Sequence, residues 1–135
     1  MAKSILLIDD DILVLMTVKR LLAREGYKVF TALSGKAALR KMEDDGFDLI
    51  ISDIKMPYMD GIETIKKIRE YLTQHNKKSI PEVFITAYAK EDIYQDALAL
   101  NASGYIQKPF DIKALQETVK KAIGGYENGK EDFSN

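Results

Sequence analysis

A chain of 135 residues that is 46% hydrophobic and 30% charged has the length of one domain and the composition of an ordinary globular protein, not of a disordered or membrane-embedded one. A formal net charge of −1 excludes bulk attraction to phosphate backbones, so no nucleic-acid partner is expected. With no cysteine there is no disulfide framework, thiolate metal site or thiol nucleophile. No apolar run approaches the roughly 18 residues that cross a bilayer, and Met1-Ala2-Lys3-Ser4 leads into too short an apolar stretch for a signal peptide. A cytoplasmic protein without a membrane partner is expected.

Ile5-Leu6-Leu7-Ile8 is too short for a helix and suits a strand covered on both faces. It stops at Asp9-Asp10-Asp11, one of which caps the helix that follows. From Ile12 to Glu25 the pattern is helical, with Val14, Val18, Leu21 and Leu22 on one face, and Gly26 stops it. Ile12, Leu15 and Met16 lie on other faces, which can mean deep burial or a docking surface, and docking is the reading taken between the two. Tyr27 to Ala32 alternates as a second strand. Ser34 caps a helix from about Gly35 to Asp44, with Ala38, Leu39 and Met42 inward. Phe47 to Ser52 forms a third strand ending at Asp53, and Pro57 prevents regular structure from continuing. After the Asp60-Gly61 turn, Ile62, Ile65, Ile68 and Leu72 mark a third helix.

A polar loop containing His75, a solvated residue with no metal role, leads to a fourth strand, Val83 to Thr86. Glu91 to Leu100 is a weaker helix with Ile93, Ala97 and Leu98 inward. Gly104 to Ile106 is a short fifth strand stopped by Lys108-Pro109. Asp111 caps a last helix through Ile123, and the glycine-containing stretch 125–135 reads as a flexible tail after a domain of residues 1–124. Strands alternating with helices give an α/β fold with a parallel sheet, whose chemistry gathers at the carboxyl ends of the strands. Asp9, Asp10, Asp53, Thr86 and Lys108 all fall at that edge. Three close carboxylates need a cation, and an oxygen-only donor set suits Mg²⁺. A hydroxyl and a lysine beside them describe a phosphoryl-binding site with Asp53 as the covalent acceptor.

Ile8-Asp9-Asp10, Ser52 to Gly61, Phe84-Ile85-Thr86-Ala87 and Ala102 to Phe110 together resemble the response regulator receiver domain, in family order from residue 5 to about residue 123. The resemblance implies a (βα)5, flavodoxin-like sheet of strand order 2-1-3-4-5. It implies phosphorylation of Asp53 by a sensor histidine kinase or histidine phosphotransfer protein. Asp10, Asp53 and the backbone carbonyl of Lys55 would bind Mg²⁺ directly, and Asp9 through water. Asp11 lies beyond the family's acid pair, which ends at Asp10, and would cap the following helix instead. Thr86 and Lys108 would hold the phosphoryl oxygens, and Thr86 with Tyr105 would switch the surface of the fourth helix, fifth strand and fifth helix toward an unknown downstream protein. Lys55 and Tyr88 occupy positions that flank the path of attacking water in the family, so slow dephosphorylation is expected. Ile12, Leu15 and Met16 would dock the histidine-bearing partner.

Two other classes compete. An aspartyl-phosphatase would carry a second acid two residues after the nucleophile, where this chain has Lys55. A nucleotide-binding fold would carry a glycine-rich loop after the first strand, where this chain has acids. The expectation is therefore a phosphoacceptor signalling module and not a conventional enzyme. It would be a stand-alone or excised receiver, monomeric or dimerising on phosphorylation, with no DNA-binding output domain in these residues.

Overall fold

In the computed structural model, residues 2–44, 46–87 and 92–133 are described, and side chains as far as residue 125. Five strands and five helices alternate: β1 (Ser4–Ile8), α1 (Ile12–Arg24), β2 (Lys28–Ala32), α2 (Gly35–Asp44), β3 (Leu49–Asp53), α3 (Gly61–Gln74), β4 (Glu82–Thr86), α4 (Asp92–Leu98), β5 (Gly104–Gln107) and α5 (Ile112–Phe133). All neighbouring strands are parallel, and the sheet order is β2-β1-β3-β4-β5. The order expected from the resemblance is the order found.

Side-chain alternation along the strands divides the core in two. Leu6, Ile8, Ile50 and Phe84 point to the face covered by α2, α3 and α4, where they meet Ala38, Met42, Ile62, Ile65, Ile68, Leu72 and Ala97. Ile5, Leu7, Leu49, Ile51, Val83 and Ile85 point to the other face, against Leu15, Val18 and Leu22 of α1 and Leu115, Val119 and Ala122 of α5. Because both faces are covered, β3 and β4 are buried along their whole length, which is why their sequences are near-continuous apolar runs. β1 lies between β2 and β3. The chain therefore leaves β1 toward one side and returns to the other, and a crevice opens at the carboxyl ends of β1 and β3.

The helix starts follow local chemistry. Asp11 Oδ1 accepts from Leu13 N at 2.9 Å, Ser34 Oγ from Ala37 N at 3.1 Å, Asp60 Oδ1 from Glu63 N at 2.8 Å and Asp111 Oδ1 from Ala114 N at 2.6 Å. Each satisfies a backbone donor that the first helical turn leaves without an intrahelical partner. The capping roles expected for Asp11, Ser34 and Asp111 are found.

Three expectations are corrected. The inner face of α1 holds Val14, Val18, Leu21 and Leu22 as expected, but it also holds Leu15, which is fully buried beside Val18 and Leu22. An apolar first half offers several inward faces, and contact with the sheet selects one. On α4, Leu98 is exposed and Tyr94 packs against the core instead. The last helix, expected to end at Ile123, continues in the backbone as far as Phe133. Glycine in a helix interior costs about 1 kcal/mol but keeps its N–H donor, so a Gly-Gly step weakens a helix without ending it.

Gly61 stands where no side chain fits: a Cβ there would strike the carbonyl of Asp53, and its own N–H donates to Ile54 O at 2.6 Å. Gly61→Ala is expected to lose about 1–3 kcal/mol in urea unfolding, since backbone rather than a flexible side chain must give way. Gly46→Ala, facing open space, should stay within about 0.5 kcal/mol of wild type.

Candidate phosphoacceptor site

The crevice holds the residues that the strand ends deliver. Asp9 follows β1 directly and its N–H donates to Ala32 O at 3.1 Å, which extends the ladder to β2 by one rung. Asp53 is the last residue of β3. Asp9 is 1% exposed and Asp53 7%, whereas Asp10 faces solvent. Asp9, Asp10 and Asp53 each present an oxygen within 4.8 Å of the others. Lys108, just past β5, reaches both buried acids: its Nζ lies 3.2 Å from Asp9 Oδ2 and 3.6 Å from Asp53 Oδ2. Its backbone N–H donates to Thr86 O at 2.7 Å, so the lysine is registered to the end of β4.

The remaining carboxylate oxygens are held as well. Asp9 Oδ1 accepts from Asp11 N at 2.9 Å, and Asp53 Oδ1 from Ile54 N at 2.9 Å. Burial raises the Asp53 carboxyl to about 6; the neighbouring Asp9 charge adds to this, and Lys108 opposes it. Burial also raises Asp9, against the lowering effects of the Asp11 N–H and Lys108. Burial alone would lower Lys108, but the Asp53 and Asp9 charges outweigh it and raise the ammonium. One ammonium thus faces three carboxylates, two of them withdrawn from water. The donor set is oxygen-only, clustered and negative in excess, which fits a hard divalent cation such as Mg²⁺.

Thr86 is buried at the end of β4. The ladder pairs Asp53 with Ile85, so Thr86 stands one residue beyond the phosphoacceptor candidate on the adjacent strand. Tyr105, on β5, is paired with Phe84 and its ring stacks against Phe84 with centroids 6.1 Å apart. Its hydroxyl donates to Ala97 O at 3.1 Å and accepts from Ala102 N at 3.1 Å, which ties it to α4 and to the α4–β5 connection. Lys55 is exposed two residues past Asp53. Tyr88 lies outside the described residues.

The docking set divides. Ile12 and Met16 are 57% and 56% exposed, but Leu15 is 3% exposed and belongs to the core. Leu15 is therefore removed from the docking set: it shares the buried stripe of α1 with Val18 and Leu22, spaced three and seven residues on. Sequence reasoning missed Leu13, more exposed than either, and Leu33, Tyr58 and Ile112, which are exposed on segments that follow strands. Their signal was present as large apolar residues within otherwise polar connections. Tyr58 is the most pronounced, with φ +67° and a ring wholly in solvent; a bulky residue rarely adopts that backbone. Six of the seven large hydrophobics exposed among the described residues, all but Leu98, follow a strand at the carboxyl edge that carries Asp53. His75 is exposed, as expected, and its ring stacks on Tyr71 at 4.2 Å.

A doubly wound parallel sheet with acids, a hydroxyl and a lysine gathered at its carboxyl edge defines a flavodoxin-like signalling domain. The chain belongs to the response regulator receiver domain family, which it matches over residues 5–120; such domains are the signalling modules of two-component systems rather than conventional enzymes. It is 40% identical to the transcriptional regulatory protein ZraR of Klebsiella oxytoca across 89% of this chain and 26% of that protein. It is 36% identical to CrdR of Helicobacter pylori across 90% of this chain and 55% of that one. The chain thus spans between about a quarter and about half of these relatives. By contrast it covers 95% of the sporulation initiation phosphotransferase F of Bacillus subtilis, at 33% identity over 91% of its own length. Among solved structures, a CheY-like receiver domain from Methanospirillum hungatei matches with a TM-score of 0.84 and 31% identity over 96% of this chain and 99% of that one. The response regulator TrrA of Thermotoga maritima, solved with Mg²⁺ and BeF, matches at 0.75 and 33% over 89% and 98%.

The raised Asp53 carboxyl has a consequence for stability in the absence of divalent cations. Below pH 3.8 the group is protonated in folded and unfolded chains alike. Between 3.8 and about 6 the unfolded chain has released a proton that the folded one retains, so stability falls as pH rises through that window and the loss is constant above it. At pH 7.5 the full effect is about 3 kcal/mol at most. Asp53→Asn is therefore expected to gain stability relative to wild type between pH 4 and pH 7.5 in urea titrations with chelator present. A difference between the two proteins that stays flat over that range would contradict the assignment.

Proposed function

We propose that this receiver accepts a phosphoryl group on Asp53 from the phosphohistidine of a sensor histidine kinase or histidine phosphotransfer protein. The observation that carries the reading is the meeting at one strand edge of Asp9, Asp10 and Asp53, with carboxylate oxygens within 4.8 Å of one another, and of Lys108 in ion-pair reach of Asp9 and Asp53. In the transfer, an Asp53 carboxylate oxygen attacks phosphorus. The P–N bond to the donor imidazole breaks with its electron pair leaving on nitrogen, and an acyl phosphate forms. Mg²⁺ held by Asp10, Asp53 and the Lys55 carbonyl, with Asp9 through water, would neutralise charge on the transferring group. The protein's task is positioning: the Ile54 N–H fixes one oxygen of Asp53, and burial excludes water from most of the carboxylate. Lys108, already between the acids, offers its ammonium to the phosphoryl oxygens.

The output follows from the same groups. A phosphoryl group drawing on Lys108 and the Thr86 hydroxyl supplies charge-assisted hydrogen bonds that are available in one packing of β4 and not in another. Tyr105, bonded to Ala97 O and Ala102 N, links that choice to the α4-β5-α5 surface, where a downstream protein binds. Lys55 and Tyr88 screen the acyl phosphate and lengthen its life. That suits a phosphorelay intermediate, and the relative that this chain covers almost end to end is named a phosphotransferase. The exposed Ile12, Leu13 and Met16, with Tyr58 and Ile112, provide an apolar rim for the histidine-bearing partner.

Incubation with acetyl phosphate and Mg²⁺ is expected to add one phosphoryl group by intact mass, and Asp53→Asn should take up none. An adduct that persists in Asp53→Asn, or no adduct on wild type, overturns the reading. Lys55→Ala with Tyr88→Ala should lose phosphate several-fold faster than wild type in Mg²⁺; an unchanged lifetime removes the screening role. Ile12→Glu with Met16→Glu should leave acetyl phosphate labelling intact and slow transfer from a phosphorylated histidine phosphotransfer protein about tenfold or more. Equal loss with both donors would count against docking there.

A further inference from the structure

Away from the phosphoacceptor site, at the amino-terminal end of β4, lies a charged group that the chemistry above does not use. Glu82 is the first residue of β4 and is 5% exposed. Arg69, on α3, meets it as a fork: Nε donates to Oε2 at 2.8 Å and Nη2 to Oε1 at 2.6 Å. The same Nη2 donates to the backbone carbonyl of Leu100 at 2.8 Å, in the turn that ends α4. Only Glu82 is withdrawn from water; the Arg69 side chain is 39% exposed, so the fork satisfies a buried carboxylate from the protein surface. What the fork adds is direction: with Glu82 fixing its plane, the guanidinium can aim a further N–H at one carbonyl.

That carbonyl matters because α4 is the least anchored of the helices described in full. Ala97 is its one fully buried residue, against three on α1 and six on α3. Two donors from outside hold its carboxyl end: Tyr105 Oη on Ala97 O and Arg69 Nη2 on Leu100 O. The two arise from different elements, β5 and α3. A cation at a helix carboxyl end is also favoured by the backbone dipole.

We propose that Arg69, oriented by Glu82, is a second latch on α4, working in parallel with Tyr105, so that α4 is released fully only when both let go. Arg69 is a positioning residue here, and the inference does not depend on phosphorylation of Asp53. The Glu82 carboxylate keeps the latch in place from β4 itself, the strand whose far end carries Thr86. Movement of Tyr105 alone would then loosen α4 without freeing it, and the Leu100 turn would remain as its pivot.

Amide hydrogen exchange of the unphosphorylated protein tests this without reference to the phosphoacceptor reading. Arg69→Met/Glu82→Val removes both charges together, which avoids stranding one of them in the core. The amides of α4 and its closing turn are expected to exchange about tenfold faster, while those of β1 and β3 hold their wild-type rates. Tyr105→Phe alone should give a smaller rise, and the triple variant a rise greater than the product of the two. Arg69→Lys, which keeps a charge for Glu82 but cannot supply the fork and the third bond together, should loosen α4 nearly as much as Arg69→Met/Glu82→Val. Unchanged α4 exchange in Arg69→Met/Glu82→Val overturns the proposal. So does a uniform rise over all helices and strands, or a triple variant that merely multiplies the separate effects.

Discussion

Two carboxylates, Asp9 and Asp53, are buried side by side with one ammonium reaching both. Nearly everything else in the molecule serves to hold that arrangement or to report on it. Left to itself a pair of buried acids would protonate or draw in water. It persists because each acid is fastened at the buried carboxyl end of a strand, with one oxygen bonded to a backbone N–H and the other facing Lys108. One ammonium leaves the cluster short of positive charge, and such an oxygen-only, negatively charged cluster is one that a hard divalent cation would suit. Burial, with the Asp9 charge adding to it, raises the Asp53 carboxyl to about 6, which makes the ligand-free protein less stable at neutral pH than its core would allow.

The sheet order converts this local imbalance into a connected device. Because β1 lies between β2 and β3, the acids from β1 and β3 converge at the crevice, and because β4 and β5 follow in order, Thr86 and Lys108 stand beside them. A one-residue slip of β3 would turn Asp53 toward the opposite face of the sheet, and the apolar residues on both faces prevent it. Gly61 adds a second constraint, since its lack of a side chain lets the start of α3 close on the carbonyl of Asp53. The geometry of the carboxylate is therefore set by packing on two sides rather than by the charges it contacts.

Most of this was legible in the chain, for identifiable reasons. The strands are short apolar runs ended by acids, prolines or glycines, and a fully covered parallel sheet leaves that signature without ambiguity. The site was legible because its residues all follow such runs. The helix faces were less so. In α1, Ile12, Leu13, Leu15 and Met16 are all apolar, and periodicity alone could not tell that Leu15 is core while its neighbours face solvent. On α4 the sequence favoured Leu98 as an inner residue over Tyr94, because hydrophobicity ranks the two without regard to where the sheet ends. The pairing of Arg69 with Glu82 was not legible at all. The two are 13 residues apart, on different elements, and an acid opening an apolar strand reads as a solvent-facing residue until the fold supplies its partner.

The distribution of burial along the molecule then separates rigid from yielding parts. β3 and β4 are buried from end to end, and α3 contributes six fully buried residues, so Asp53 and Thr86 sit on the most completely covered part of the sheet. Packing is thinner on α4, which has a single fully buried residue and whose carboxyl end is held by two hydrogen bonds besides its apolar contacts. Hydrogen bonds suit a switch better than packing does: each is directional, worth about 1–3 kcal/mol when charge or burial is involved, and can be exchanged for a bond to water once exposed. Apolar contact of comparable strength would have to be broken over a whole surface at once. Chemistry at the rigid edge and yielding at α4 are thus two consequences of one sheet, covered completely in its centre and sparingly beyond β4.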